Sequence, residues 1–255
     1  MQNFITSFIT GILSVIVFSL VPMLLFSLGV PASVANAIAW ILLLEVVLKS
    51  ILLKVVPPFV AEITSLSAQK LNLDRQLFDY YCSELEAIGF QELVDYTSPN
   101  VKGMARLYCH REHNCYAEVG LLSGFSAYCS LVCGFERGWF FAATTNNPST
   151  NIKAISFAFL SLPKTVCKIF NEEPRMLLKS FLSWQEKIKH NLSVEIIAIT
   201  DEQMYFAWER AKRQQQRRRL MRKSITVCLI KLLLFHLNPK SEWLGDYQQI
   251  SARSM

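Results

Sequence analysis

A chain of 255 residues, 52% of them hydrophobic, has room for one membrane anchor and one soluble domain of ordinary size, which excludes two large soluble domains. Its net charge of +6 is unevenly placed: residues 1–60 carry +1, residues 61–200 carry −1 and residues 201–255 carry +6, so the excess lies in the C-terminal fifth. Seven cysteines, an odd number without small-scaffold spacing, point to free thiols in a reducing compartment and not to a disulfide framework.

Residues 1–44 contain no Asp, Glu, Lys or Arg. A spanning helix needs roughly 20 mostly apolar residues, and Phe4–Val30 supplies more than that. The n-region has no basic residue and the apolar run is too long for a signal peptide, so an uncleaved anchor is expected. Gly29 and Pro31 are strong punctuators and predict a turn. A second span then runs from Val30 to Ser50, with Glu45 and Lys49 near its far end. A carboxylate at the bilayer centre costs about 2.5–3.5 kcal/mol, so the span should end close to Glu45, with Lys49 snorkelling to the headgroups. The four-residue spacing also suits a helical ion pair, here an interfacial one. Ser7-xxx-Gly11 and Ala35-xxx-Ala39 would let the two helices approach closely.

Lys49 and Lys54 follow the second helix, with Lys70 and Arg75 beyond, whereas the turn between the helices has no basic residue. The positive-inside rule then puts both termini in the cytoplasm, and a bacterial plasma (inner) membrane is the expected address. Pro57-Pro58 ends the helical continuation.

Residues 74–88 read as an amphipathic helix with Leu77, Tyr81, Leu85 and Ile88 in one stripe and Gly89 as its left-handed stop. From Glu92 the period becomes two. Ala105, Leu107 and Cys109 alternate with Arg106, Tyr108 and His110. Ala117, Val119 and Leu121 alternate with Glu118, and Cys129, Leu131, Cys133 and Phe135 with Ser130. Half-buried strands joined by short turns at Arg111–Asn114, Ser123-Gly124 and Glu136–Gly138 predict an antiparallel meander. A further strand, Trp139–Thr145, runs into a polar loop at Asn146–Asn151, and the run Trp139-Phe140-Phe141 reads as core.

Helical composition resumes at Pro163-Lys164, is interrupted by Pro174, and continues over Met176–Ile188. Val194–Ile199 reads as a short strand. Thr200 and Gln203 fit a capping box opening another helix. That helix becomes Lys212-Arg213-Gln-Gln-Gln-Arg217-Arg218-Arg219, a stretch unable to pack on a core, followed by the apolar segment Ile225–Leu237, too short to span.

The fold class expected is α+β: an N-terminal two-helix transmembrane hairpin and a cytosolic domain with an antiparallel β-sheet packed by helices. Residues 1–60 are the hairpin, with spans at about 4–26 and 30–50. Residues 61–200 are the cytosolic domain, 201–237 a basic helix with an apolar membrane-proximal segment, and 238–255 a loose tail.

Chemistry is sparse. Cys109, His113 and Cys115 are ligand-type residues in one turn, but alternation places His110 opposite Cys109 and no second cysteine pair has zinc spacing. Cys129 and Cys133 lie roughly 13 Å apart by strand rise. No phosphate loop, HExxH, GxSxG or dinucleotide fingerprint occurs, no catalytic residue is assigned, and no cofactor is expected. Arg210, Lys212, Arg213, Arg217, Arg218, Arg219, Arg222 and Lys223 form a basic stretch without an acid. The chain is already tethered, so anionic lipid headgroups of the bilayer are its nearest polyanion. Nucleic acid would want stacking aromatics beside the arginines, and none stand within 212–223.

The expected function is a membrane-anchored binding or scaffold protein facing the cytosol, with a protein partner or small ligand on the sheet domain. A membrane-bound enzyme using a cysteine or a Cys/His metal site is the alternative, and a membrane regulator contacting nucleic acid a further one.

Overall fold

The computed structural model describes residues 19–56, 58–63, 75–98, 103–122, 126–240 and 242–251. The first expected span is therefore described only from residue 19, and Ser7, Gly11, Pro57, Lys70, Asp74 and the Ser123-Gly124 turn lie outside the described residues.

Residues 19–27 are helical (α1). The helix closes with Gly29 N–H on the Phe26 carbonyl and Val30 N–H on the Leu25 carbonyl, both at 3.0 Å, the paired bonds of a Schellman ending. Pro31 precedes α2, Ala32–Val55. Its segment Ala32–Lys54 has a mean hydropathy of 2.0 and is long and apolar enough to cross a membrane. It is the one such helix among the described residues.

The rest of the chain is built on an eight-stranded sheet whose strands lie side by side in chain order. They are β1 (Glu62–Ile63), β2 (Gln91–Thr97), β3 (Gly103–His110), β4 (Cys115–Leu122), β5 (Tyr128–Phe135), β6 (Trp139–Thr144), β7 (Thr165–Ile169) and β8 (Glu242–Trp243). The stretch from β1 to β6 is an antiparallel meander, as alternation and short turns dictate. The next pairing departs from that pattern, because β6 and β7 are parallel. A parallel neighbour needs a crossover, and α4 (Thr150–Ile155) with the π-helical turn Ser156–Leu160 provides it. The residues expected to form only a polar loop thus open a helix, and 165–169, expected to be helical, is a strand.

One face of the sheet carries Tyr108, Ala117, Val119, Leu131, Cys133, Phe141 and Val166, all buried. It is covered by α3 (Gln76–Ala87), α5 (Pro174–Leu192) and α8 (Tyr247–Ser251). The buried stripe of α3 is Phe78, Cys82 and Leu85, with Leu77, Tyr81 and Ile88 at its edge, one position round from the stripe read from the sequence. Gly89 ends α3 at φ +94, a conformation glycine adopts without a Cβ penalty. Pro174 begins α5 at its first turn and does not interrupt a helix, where its missing N–H has no intrahelical partner to lose. Each large side chain buried here contributes about 1.5–3 kcal/mol.

Three further expectations change. Residues 194–199 form no strand beyond a single bridge, Ile196 to Phe135. The next helix, α6 (Glu202–Arg222), is capped by Asp201, whose Oδ1 accepts from Met204 N–H at 3.0 Å; the Thr200 hydroxyl instead lies within reach of that carboxylate and of the Met204 sulfur. The tail is not loose over 242–251: Trp243 Nε1 donates to the Leu162 carbonyl at 3.0 Å, Asn191 Nδ2 donates to the Tyr247 hydroxyl at 2.8 Å, and Tyr247 is buried.

The far half of α6 also packs. Leu220 is fully buried and joins Ala158, Phe159, Ile225 and Cys228 in a cluster against Leu48, Leu52 and Leu53 of α2. The last two of its buried members belong to α7, Ile225–Leu237.

Candidate functional site

The second face of the sheet is not filled. Near the β2–β4 end, α6 covers Leu107, Tyr116 and Tyr96 with Tyr205, Phe206 and Trp208. Toward β5–β7 it diverges, leaving a cavity of about 620 Å³ between the sheet, α6, the π-helical turn and α7. That volume is in the range of small-molecule sites. Its sheet wall consists of the residues alternating with the packed face, including Glu118, Ser130, Val132, Ala142 and Thr144. Most are small or short, so the opposite parity of the same strands builds a floor and no core.

Glu118 of β4 is the polar centre. Tyr128 and Tyr205 hydroxyls each donate to its carboxylate at 2.6 Å, and Tyr96 donates as well. These residues come from β2, β4, β5 and α6. Gly120 permits the Tyr128 contact, since a Cβ there would collide with the Tyr128 ring. Burial, reinforced by the Glu118 charge, pushes all three phenols well above their ordinary range. They therefore stay protonated and serve as donors.

Around this centre charge is distributed unequally. Glu209 pairs with Lys212, one turn along α6. Burial pushes the Glu209 carboxyl up, but Lys212 and Arg213 outweigh it and hold the group below its ordinary value. Glu242 pairs with Lys168 at 2.7 Å. Each carboxylate lining the cavity thus has a donor or cation, whereas Lys153, Arg213 and Lys240 line it without an ion pair among the described residues. Gln216 Nε2 donates to the Leu160 carbonyl at 3.1 Å while its Oε1 is buried without a partner.

The basic stretch divides by helical face. Arg210, Arg218 and Arg222 are exposed. Lys212 and Arg213 face the cavity. Arg217 Nη1 donates to the Leu53 and Val56 carbonyls at 2.8 and 2.5 Å, capping α2. Lys223 Nζ reaches the Ala158 carbonyl and Ser161 Oγ, each at 3.4 Å, and Arg219 is half-buried. A stretch expected to stay off any core is therefore partly consumed in fastening α6 to its neighbours.

Glu45 and Lys49 do form an ion pair, at 2.8 Å. Lys49 Nζ also donates to the Met221 carbonyl at 3.1 Å, at the end of α6. The Glu45 carboxylate meets the Ile225 N–H at the start of α7, where a helix N-terminus favours an anion. The lysine amine thus has two protein partners, the Glu45 carboxylate and the Met221 carbonyl.

The cysteine and histidine candidates separate. Cys109 pairs across from Tyr116, and His110 from Cys115, so Cys109 and Cys115 project from opposite faces of the hairpin. His113 stacks on His110 with ring centroids 4.2 Å apart. Among the described residues no group of three or more His, Cys, Asp or Glu is placed to hold a metal ion. Burial pushes the Cys82 thiol up to about 11 and raises those of Cys115, Cys129, Cys133 and Cys167, which disfavours the thiolate a nucleophile needs. Cys167 alone of these lines the cavity.

Sequence reading missed the cavity. Its one available signal was Glu118, a carboxylate centred in a strand of otherwise apolar and small residues. No family model, curated protein or solved structure matches the chain.

Proposed function

We propose that this protein is a membrane-anchored binding module whose sheet domain faces the cytosol and takes a ligand in the cavity over Glu118. The observation that carries this reading is the 620 Å³ cavity, with its phenol-ringed carboxylate, built on a domain that is fastened through α6 to an apolar helix of spanning length. Apolar walls with a few convergent polar groups are the usual make-up of a ligand site.

The anchor is a two-helix hairpin. Ala35 and Ala39 are buried on a helix whose other faces are largely exposed, and Ala32 and Ala35 share a cleft with Pro22 and Phe26. Small residues at such positions are what close packing of helices in lipid requires. Both termini lie on the cytosolic side of a bacterial plasma membrane, a reading supported by Lys49 and Lys54 after the second span and by seven free thiols.

The α7 helix lies in the membrane interface. It packs Ile225, Cys228 and Phe235 inward and exposes Val227, Ile230, Leu233, Leu234 and Leu237 on the opposite side. It begins at the level of Glu45, where the span meets charge, so lipid is the natural cover for its outer face. Arg210, Arg218 and Arg222 face solvent and are the cations free for anionic headgroups.

Two measurements test this. After alkaline carbonate washing the full chain should stay in the membrane pellet; release into the wash would remove the anchor. Native mass spectrometry of the full chain released from detergent micelles should reveal a bound small molecule that Val132→Trp abolishes. A ligand-free spectrum for the wild type would remove the binding role.

A further inference from the structure

We propose that the cavity selects an anionic amphiphile, a molecule with one apolar chain and a carboxylate or phosphate head. This rests on the reading of the cavity as the binding site. The first ground is a charge imbalance that the fold leaves uncompensated. The acids lining the cavity are Glu118, Glu209 and Glu242, and each has its partners: three phenols, Lys212 and Lys168 respectively. Of the four lining cations Lys212 is ion-paired and Arg213 adds to the field that holds Glu209 charged, whereas the half-buried Lys153 and the exposed Lys240, over the Phe157 ring, have no ion pair among the described residues. The half-buried Lys153 and Arg213 stand beside apolar wall in a cavity with more lining cations than carboxylates, and an anion bound there relieves that imbalance. A cationic ligand finds no free carboxylate here.

The second ground is the rest of the wall. Phe157, Leu160, Phe235 and Trp243, with Val132 and Ala142 from the sheet, present apolar surface to the same space. A small inorganic anion would leave that surface wet, whereas a chain would cover it.

The third ground is position. Leu160 and α7 belong to the cluster that packs on the end of α2, so the apolar wall of the cavity adjoins the surface assigned to lipid. The amphiphile comes either from the bilayer or from the cytosol, and its recognition chemistry is the same in both cases.

The test uses the full chain in nanodiscs of zwitterionic phosphatidylcholine and three photoactivatable probes: a diazirine fatty acid, its uncharged methyl ester, and a diazirine lysophosphatidic acid. Charge-assisted hydrogen bonds to the head should make cross-linking of the β5, β6 and 156–160 peptides by the two anions about tenfold or more stronger than by the ester. Lys153→Gln with Arg213→Gln should erase that preference, and Val132→Trp should block every probe. Probes preloaded in the disc and probes added to solution distinguish the bilayer from the cytosol as source; labelling by either route supports the proposal. Equal labelling by acid and ester on the wild-type chain overturns the anion class while leaving the binding role intact, and this comparison needs no variant to fold. Absence of cavity labelling by all three probes overturns both.

Discussion

The two faces of the sheet are made by the same strands and behave oppositely. On one face Leu131, Cys133, Phe141 and Val166 are fully buried beneath α3, α5 and α8. On the other, Ser130, Val132, Ala142 and Thr144, their immediate neighbours in sequence, line a cavity. Both faces have helices above them, so coverage alone does not explain the contrast. The helix on the open face is occupied elsewhere: Arg217 caps α2 and Leu220 packs beside it, which draws α6 away from the strands it would otherwise fill.

The largest test of the contrast is truncation on each face. Phe141, stacked on Phe181 with centroids 5.0 Å apart, should lose about 3–5 kcal/mol on replacement by Ala. Val132→Ala should lose under about 1 kcal/mol, because its side chain has partners on only one side. Guanidinium denaturation of the detergent-solubilised full chain reads both, and equal losses would erase the distinction between the faces.

Next comes the fastening of α6. Arg217→Gln withdraws a charged donor from the Leu53 and Val56 carbonyls and should cost about 1.5–3 kcal/mol. Limited proteolysis at Arg218 and Arg222 should quicken accordingly; unchanged cleavage would mean that α6 is held by Leu220 alone.

A smaller effect is expected inside the cavity. Tyr205→Phe removes one of three donors to Glu118 and should lower stability by about 0.5–1.5 kcal/mol. Pairing it with Glu118→Gln should give less than the sum of the two single losses, since the residues share one hydrogen bond. Strict additivity would break the assignment of these groups to one network.

The smallest effect lies on the packed face and depends on pH. Burial, and then the neighbouring His113, hold His110 below its ordinary value, with Glu112 opposing. The unfolded chain therefore takes up a proton near pH 6.5 while the folded one stays neutral. Stability is complete above that pH and declines as pH falls through it. His110→Gln should flatten this slope in thermal melts recorded between about pH 5.5 and 7.5, and an unaltered slope would point to another group.

Much of the sheet was legible because alternation is local: Ala117, Val119 and Leu121 on one parity and Glu118 on the other announce a two-faced strand. The parallel strand 165–169 was not, since a crossover is a relation between distant segments and Pro163 with Pro174 framed the region as helical. The cavity was hidden for the same reason. Tyr96 is 22 residues and Tyr205 is 87 residues from Glu118, and no spacing rule links them. The cations misled in a further way. Composition reports that Arg217 is charged, but only the neighbouring end of α2 reveals that its charge completes another helix.

That fastening makes α6 a lever with two loads. Its middle supplies Tyr205, Arg213 and Gln216 to the cavity, while its end is tied to the proposed span by Arg217 from one side and Lys49 from the other. A ligand that shifts α6 then performs work on the tilt of α2. Linkage is reciprocal: on the proposed membrane reading, a bilayer whose thickness favours one tilt changes ligand affinity by the same factor by which the ligand biases that tilt, so membrane thickness becomes an effector of the pocket.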